Sequence, residues 1–384
     1  MIYLDNAATS WPKPPQIKEA MIQFMEEIGA NPGRSGHLRS IEAARILYET
    51  REALSILFNI EDPSRVIFTP NATESINLAL KGLLKPGDHV LTSSMEHNSV
   101  MRPLRDLERK GIELSVIPCS REGTLNPQEV EKKIQSNTRM IILNHASNVI
   151  GTLLPIREVG QIARKYNLLF LVDSAQTAGA YPIDLEKDHV DLFAFTGHKS
   201  LYGPQGTGGL ILGKRVQEKE MIPLKQGGTG SRSEFEEQPD FLPDRFESGT
   251  LNGVGIAGLL AGIQFVHEKG VEQIRQHEMS LIKRLMEGLR EIPQVKLYGP
   301  EDGNSQIATL SFSIVDRSPS DVALRLEREF GILCRSGLHC APAAHRTIGT
   351  FPEGTIRFGL SFFNTKEEIE AVIQAVSAIS KQRG

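Results

Sequence analysis

The sequence predicts an α/β protein, in which a mostly parallel sheet covered by helices on both faces is followed by a smaller αβ domain. Three observations predict it. Short apolar runs alternate with amphipathic stretches through the first two thirds of the chain. The runs carry few alternating polar residues, as strands buried on both faces do. The rhythm then changes after about Gly255. A length of 384 residues allows two to three domains at ~150 residues each, with sizeable cores.

Seven runs read as strands in turn: VIFT at Val66, HVLTSS at His89, ELSVIP at Glu113, RMIILNHAS at Arg139, LLFLVDSA at Leu168, DLFAFTGHK at Asp191 and GGLILG at Gly208. Between them, Glu74 to Leu84, Val100 to Lys110, Asn126 to Gln135 and Ile156 to Tyr166 read as helices, several stopped by Gly or Pro-Gly. The segment from Gln226 to Thr250 has little periodicity, and a loop of that length is usually functional or partner-contacting. Two long helices follow, Ile256 to Lys269 and Val271 to Ile292, with a domain boundary near Val271. The last region reads as a strand ATLSFSI at Ala308, a helix Ser320 to Phe330, a strand TIRFGLSFF at Thr355 and a closing helix Glu367 to Lys381.

Forty-three Lys and Arg against 47 Asp and Glu give a net charge of −4, with both signs scattered. That disfavours nucleic acid or an anionic membrane as a partner but leaves room for a local pocket that holds one phosphate. The start MIYLDNAATSWPKP lacks the pattern of a secretory signal. The most apolar helical stretch, Ile256 to Val266, is broken by Gly258, Gly262 and Gln264, short of the ~20 residues of a membrane span. Three cysteines, Cys119, Cys334 and Cys340, form no C-x-x-C pair and leave one over, which suits a reducing compartment. A cytoplasmic location is expected.

Ligands of open parallel sheets collect at the carboxyl ends of the strands. The unusual polar residues gather there: Thr73, His97, Asn148, Asp173, Gln176, His198 and Lys199 each follow a predicted strand. Lys199 taken alone reads as a solvated loop lysine. Between an apolar strand and the glycine-rich YGPQGTGGLIL, however, a partly buried lysine with a lowered pKa could form a Schiff base with an aldehyde cofactor. Asp173 reads either as a turn acid or as the carboxylate that keeps a pyridine nitrogen protonated. Asn71, Ala72 and Thr73 open a helix, where backbone N–H groups suit a phosphate. His97 reads as a loop residue or as a ring lying over the cofactor.

Cys340 sits in RSGLHCAPAAH with Arg335, His339 and His345 nearby. It reads as an inert buried cysteine or as a partly exposed, nucleophilic thiol. His339, Cys340 and His345 match no structural zinc spacing, so no metal is expected. Arg357 lies inside a predicted strand, where a substrate carboxylate held bidentately would be a fitting partner.

YLDNAATS, TESIN, EHNS, HASNVIG, DSAQ, FTGHK, ESGT, RSGLHCA and IRFGLSFFNT stand in this order over almost the whole chain. Together they resemble the class V aminotransferase family and, within it, the cysteine desulfurases. The resemblance implies a fold-type I pyridoxal 5′-phosphate enzyme. Its large domain, residues 17–270, surrounds a mixed, mostly parallel seven-stranded sheet. Its small domain combines residues 1–16 and 271–384 and carries the cysteine loop, and the enzyme is a homodimer with shared active sites.

By position, Lys199 corresponds to the lysine that binds the cofactor aldehyde, Asp173 to the partner of the ring nitrogen and Gln176 to that of the ring hydroxyl. His97 corresponds to the stacking histidine. Ala72, Thr73, Thr196 and His198 match the phosphate site, and Thr250 matches the residue that reaches it from the other subunit. Asn148, Arg335 and Arg357 match substrate-orienting groups, and Cys340 the persulfide-forming cysteine. RSGLHCA resembles the compact group II loop, related to selenocysteine lyases. The implied reaction converts L-cysteine to L-alanine and passes sulfur to an acceptor protein or small thiol. Selenocysteine lyase or another C–S lyase is the alternative reading, and a non-catalytic cofactor-binding or sulfur-carrier protein a further one.

Overall fold

Each apolar run settles as a strand because both of its faces find cover. In the computed structural model, residues 1–33, 35–302 and 304–382 are described. The chain opens with β1 (Ile2–Tyr3), α1 (Pro15–Gln23) and α2 (Leu38–Phe58). The seven runs then form β2 (Val66–Thr69), β3 (His89–Ser93), β4 (Glu113–Ile117), β5 (Thr138–Asn144), β6 (Leu169–Asp173), β7 (Leu192–Thr196) and β8 (Gly208–Leu212). Helices α3 (Ala72–Leu83), α4 (Asn98–Glu108), α5 (Pro127–Lys132) and α6 (Ile156–Lys165) follow β2, β3, β4 and β5.

The strands lie in the order β2-β8-β7-β6-β5-β3-β4, with β8 antiparallel to both neighbours and the other pairs parallel. Period-two alternation sends neighbouring residues to opposite faces. Phe170, Val172 and Phe193 pack with Leu54 and Phe58 of α2, whereas Ile142, Leu171 and Leu192 pack with Ile76 and Leu80 of α3 and Leu104 of α4. Parallel strands followed by crossovers bring the carboxyl ends of β3, β5, β6 and β7 to one rim.

After the sheet come α7 (Gly253–Lys269) and α8 (Val271–Arg290). The remaining elements are β9 (Val295–Tyr298), β10 (Thr309–Ile314), α9 (Pro319–Phe330), β11 (Ile332–Leu333), β12 (Arg335–Gly337), α10 (Pro342–Ile348), β13 (Thr355–Gly359) and α11 (Lys366–Lys381). An antiparallel sheet in the order β12-β13-β10-β9 packs with α8, α9 and α11 around Leu310, Phe312, Ile356 and Phe358. β1 pairs parallel with β11, so the start of the chain is stitched to this C-terminal region. TIRFGLSFF keeps strand geometry only to Gly359, because Ser361 N then donates to Asn364 Oδ1 and the chain turns. Among the described residues, no helix is long and apolar enough to cross a membrane.

Candidate active site

A cavity of about 100 Å³ opens at the rim of the large sheet. At one end, Asn71 caps α3, its Oδ1 accepting from Glu74 N at 3.0 Å, and Ala72 and Thr73 form the first turn. The backbone N–H groups of a helix start have no helical acceptor, so this end favours an anion. Thr196 and His198, at the end of β7, line the same cavity. Burial, with Lys199 and Lys13 adding to it, pulls His198 down to about 4.

His97 precedes α4, and its Nδ1 accepts from Ser99 N at 3.0 Å. That bond places the proton of the neutral ring on Nε2. Burial is the main reason its pKa falls to about 4, and the nearby Lys199 and arginines push the same way. The ring is therefore neutral over the physiological range. Asp173, at the end of β6, accepts from Ala175 N at 3.0 Å and Ser99 Oγ at 3.3 Å. Burial raises its pKa, while Lys199 works against the rise. Gln176 lines the cavity with its amide donating to Ala7 O at 3.0 Å.

Lys199 completes the ring of residues, with its pKa lowered to about 8. Enclosure is the largest cause; Asp173 opposes it, and Arg357 and Arg335 reinforce it. Part of that enclosure is supplied by the N-terminal segment. Ser10 N and Lys13 Nζ donate to His198 O at 3.1 and 2.8 Å, and Ser10 Oγ donates to Lys199 O at 2.9 Å. Lys13 is itself held down to about 8 by burial. Sequence reasoning missed Lys13, since its partner His198 lies 185 residues away. It also missed Ser99, although the EHNS segment contains it.

The cavity meets the C-terminal region through Asn148, whose Nδ2 donates to His339 O at 2.7 Å. Three residues on, Gly151 packs closely on β10: its φ is +75°, and a Cβ there would lie 2.5 Å from Thr309 O. Arg357 is almost fully buried and donates to Asn148 O at 2.9 Å and to Asp5 Oδ1 at 2.8 Å. Its expected carboxylate thus has a protein counterpart already in Asp5. Cys340 is exposed, and its O accepts from Asn98 N at 2.9 Å. Arg335 Nη2 lies 3.4 Å from its Sγ. His339 and Cys340 take φ values of 47° and 58°, a left-handed pair that costs energy for residues with a Cβ.

The structure therefore brings Ala72, Thr73, His97, Asn148, Asp173, Gln176, Thr196, His198 and Lys199 to one cavity, with Arg335, Arg357 and Cys340 at its C-terminal side. Thr250 stands apart: it lines a different hollow, beside Phe68 and Gly208. The rings of His339 and His345 lie tilted at 38° with centroids 5.5 Å apart and bond to Thr355 and Thr350, and among the described residues no group of three His, Cys, Asp or Glu could hold a metal.

The sequence profile of the family described as Aminotransferase class-V matches residues 2–372. The chain belongs to the class-V aminotransferase family. Among class-V relatives it is 34% identical to a "probable cysteine desulfurase" of Methanothermobacter thermautotrophicus, a match covering 99% of this chain and 94% of that one. Its fold matches that of a cysteine desulfurase from Thermococcus onnurineus NA1 with a TM-score of 0.91 at 34% identity, over 99% and 94% of the two chains. A cysteine desulfurase from Escherichia coli, in its S-sulfonic acid form, matches with a TM-score of 0.88 at 27% identity over 98% and 94%.

Proposed function

We propose that the chain is a pyridoxal 5′-phosphate-dependent cysteine desulfurase. On this reading it converts L-cysteine to L-alanine and holds the sulfur as a persulfide on Cys340 for an acceptor protein or small thiol. The observation that carries the reading is the joining of two chemistries. An amine lowered to about 8 and a buried carboxylate share one cavity, and Asn148 ties that cavity to the loop of the exposed thiol.

The residues present fit the cofactor. Of eleven buried side-chain atoms without a hydrogen-bond partner among the described residues, four belong to residues lining this cavity: Asn144 Oδ1, Asn148 Oδ1, Thr196 Oγ1 and His198 Nδ1. Leaving such atoms bare costs about 1–3 kcal/mol each, so a polar ligand is the natural completion. Ala72, Thr73, Thr196 and His198 would hold the phosphate, Asp173 the ring nitrogen and Gln176 the ring hydroxyl, with His97 over the ring and Lys199 at the aldehyde. When bound, the cofactor supplies an electron sink for the bonds at the substrate Cα.

The chain's own groups do the rest. Lys199, low enough in pKa to be uncharged part of the time, takes the Cα proton and returns one. Arg357, whose Nε has no partner, would take the substrate carboxylate in competition with Asp5, and Asn148 orients the substrate. The Cys340 thiolate attacks the substrate sulfur: an S–S bond forms, the C–S bond breaks with its electron pair on the carbon fragment, and protonation of that fragment yields alanine. Arg335 Nη2 stands 3.4 Å from its Sγ.

We further propose a cytoplasmic homodimer, in which Thr250 completes the phosphate site of the partner. The exposed position of Thr250 and the exposed Leu38, Ile41 and Tyr48 along α2 support it. The large domain on this reading is residues 17–270, and the small one joins 1–16 to 271–384, in keeping with the pairing of β1 and β11.

The test is the product formed from L-cysteine by the cofactor-loaded protein, run beside Cys340→Ser. Alanine and sulfide are expected, with sulfide lost in the variant while cofactor binding stays. Pyruvate that survives the substitution would mean a β-eliminating lyase instead.

A further inference from the structure

Three of the four unpartnered atoms of the cavity sit on residues to which the sequence gives a ligand role; the fourth sits on Asn144. This residue ends β5, is 3% exposed and lines the cavity. Its amide cannot be turned the other way. Nδ2 donates to Met95 O at 3.1 Å and to Ala146 O at 3.3 Å, and a flip would set an oxygen against two carbonyl oxygens. Both amide hydrogens are spent on the protein, so Oδ1 is left as a fixed acceptor without a donor.

The backbone of Asn144 is equally fixed. Its N–H donates to both oxygens of the fully buried Glu96, at 3.1 and 2.9 Å, and Glu96 Oε1 in turn accepts from Ser93 Oγ. The ends of β3 and β5 are thereby tied behind the cavity. On the other side, Asn144 is the register partner of Asp173 in the parallel pair β5–β6. Register partners leave the sheet on the same face, about 4.8 Å apart. Ile142 and Leu171, two residues earlier on each strand, face the α3–α4 side together and set that face for both.

We propose that Asn144 is a further cofactor-binding residue, whose Oδ1 accepts a hydrogen bond beside Asp173 from the protonated nitrogen of the bound pyridine ring. The inference rests on the functional reading above and adds to it a second acceptor at the ring-nitrogen end. One donor shared between two acceptors is a common three-centre arrangement. Asn144 contributes no charge, so it holds the N–H form of the ring without adding a second negative charge next to Asp173.

The experiment measures binding to the unloaded full-length protein of pyridoxal 5′-phosphate and of its 1-deaza analogue, in which C–H replaces the ring nitrogen. Wild type is compared with Asn144→Leu, which is similar in volume, and binding of the deaza analogue shows that the variant still forms the site. Asn144→Leu should weaken the natural cofactor about tenfold and leave the deaza analogue unchanged. Equal losses for both ligands would reduce Asn144 to packing, and no loss for either would remove it from the site; both outcomes overturn the inference. If wild type itself binds neither ligand through Lys199, the functional reading fails first, an outcome distinguishable from the other two.

Discussion

The rim around Lys199 and the loop around Cys340 face each other across Asn148, and they are built in opposite ways. Lys199 is clamped: its own carbonyl and that of His198 receive donors from Ser10 and Lys13, and the strands beside it are buried on both faces. Cys340 is presented: it is exposed, follows the short β12, and takes a left-handed backbone next to another left-handed residue. Enclosure lowers the charge-bearing tendency of an amine and so makes it a base. Exposure leaves a thiol within reach of a second molecule. An enzyme that must keep a proton in and hand a sulfur out needs one region of each kind.

The comparison breaks most completely at its enclosed end. Lys199→Ala should cut turnover by about 10³-fold or more, and borohydride should no longer fix cofactor mass to the chain. Retained covalent mass in that variant would move the aldehyde-binding role to another lysine. An intermediate effect is expected where the regions meet. Arg357→Leu should raise KM for L-cysteine by about 10- to 100-fold with a smaller change in kcat, the size of one charge-assisted hydrogen-bonded contact. Should kcat fall instead with KM unchanged, Arg357 serves the geometry of Asp5 and Asn148 rather than the substrate.

The smallest effect concerns pH. Burial is the main cause of lowering in six histidines: His89, then His97 and His198 at the rim and His345 by the loop to about 4, His145 to about 3 and His339 to about 2. Each folded value lies below the unfolded value of ~6.5, so as pH falls from there the unfolded chain takes up protons first. The stability these histidines contribute to the unloaded protein is therefore lost from about pH 6.5 downwards, while Glu96 and Glu278, raised to about 8 by burial, act in the opposite sense, so the histidine part is read as the difference in urea midpoint between wild type and a histidine variant. Between pH 6.5 and 4 His339→Gln and His97→Asn should flatten the histidine part about equally, and below pH 4 only His339→Gln should still do so, because its folded value is the lower of the two. The reverse order would show that the loop side is less tightly enclosed than the rim.

Much of this was legible in the sequence. The seven apolar runs specify the large sheet because strands buried on both faces have no polar alternation to hide them. The cofactor-side residues are legible for a related reason, since polar groups at the ends of such runs stand out. Asn144 escapes notice as the last residue of a run, because its meaning depends on a register with Asp173 that only the paired strands supply. The partnership of Arg357 with Asp5 spans 352 residues and is equally invisible locally. α2 is a third case. Ala43, Leu47, Leu54 and Phe58 face inward while Leu38, Ile41, Tyr48 and Ile56 stay exposed, so apolar residues on both sides blur the stripe of an amphipathic helix.

The three cysteines carry one more consequence. Burial pushes Cys119 up to about 11 and Cys334 up to about 12, which keeps both as thiols in neutral solution, whereas Cys340 stands exposed. An alkylating or maleimide reagent should therefore meet Cys340 well ahead of the half-buried Cys119 and Cys334. A dye or spin label added in one equivalent should mark Cys340 Sγ first and report on whatever approaches that loop.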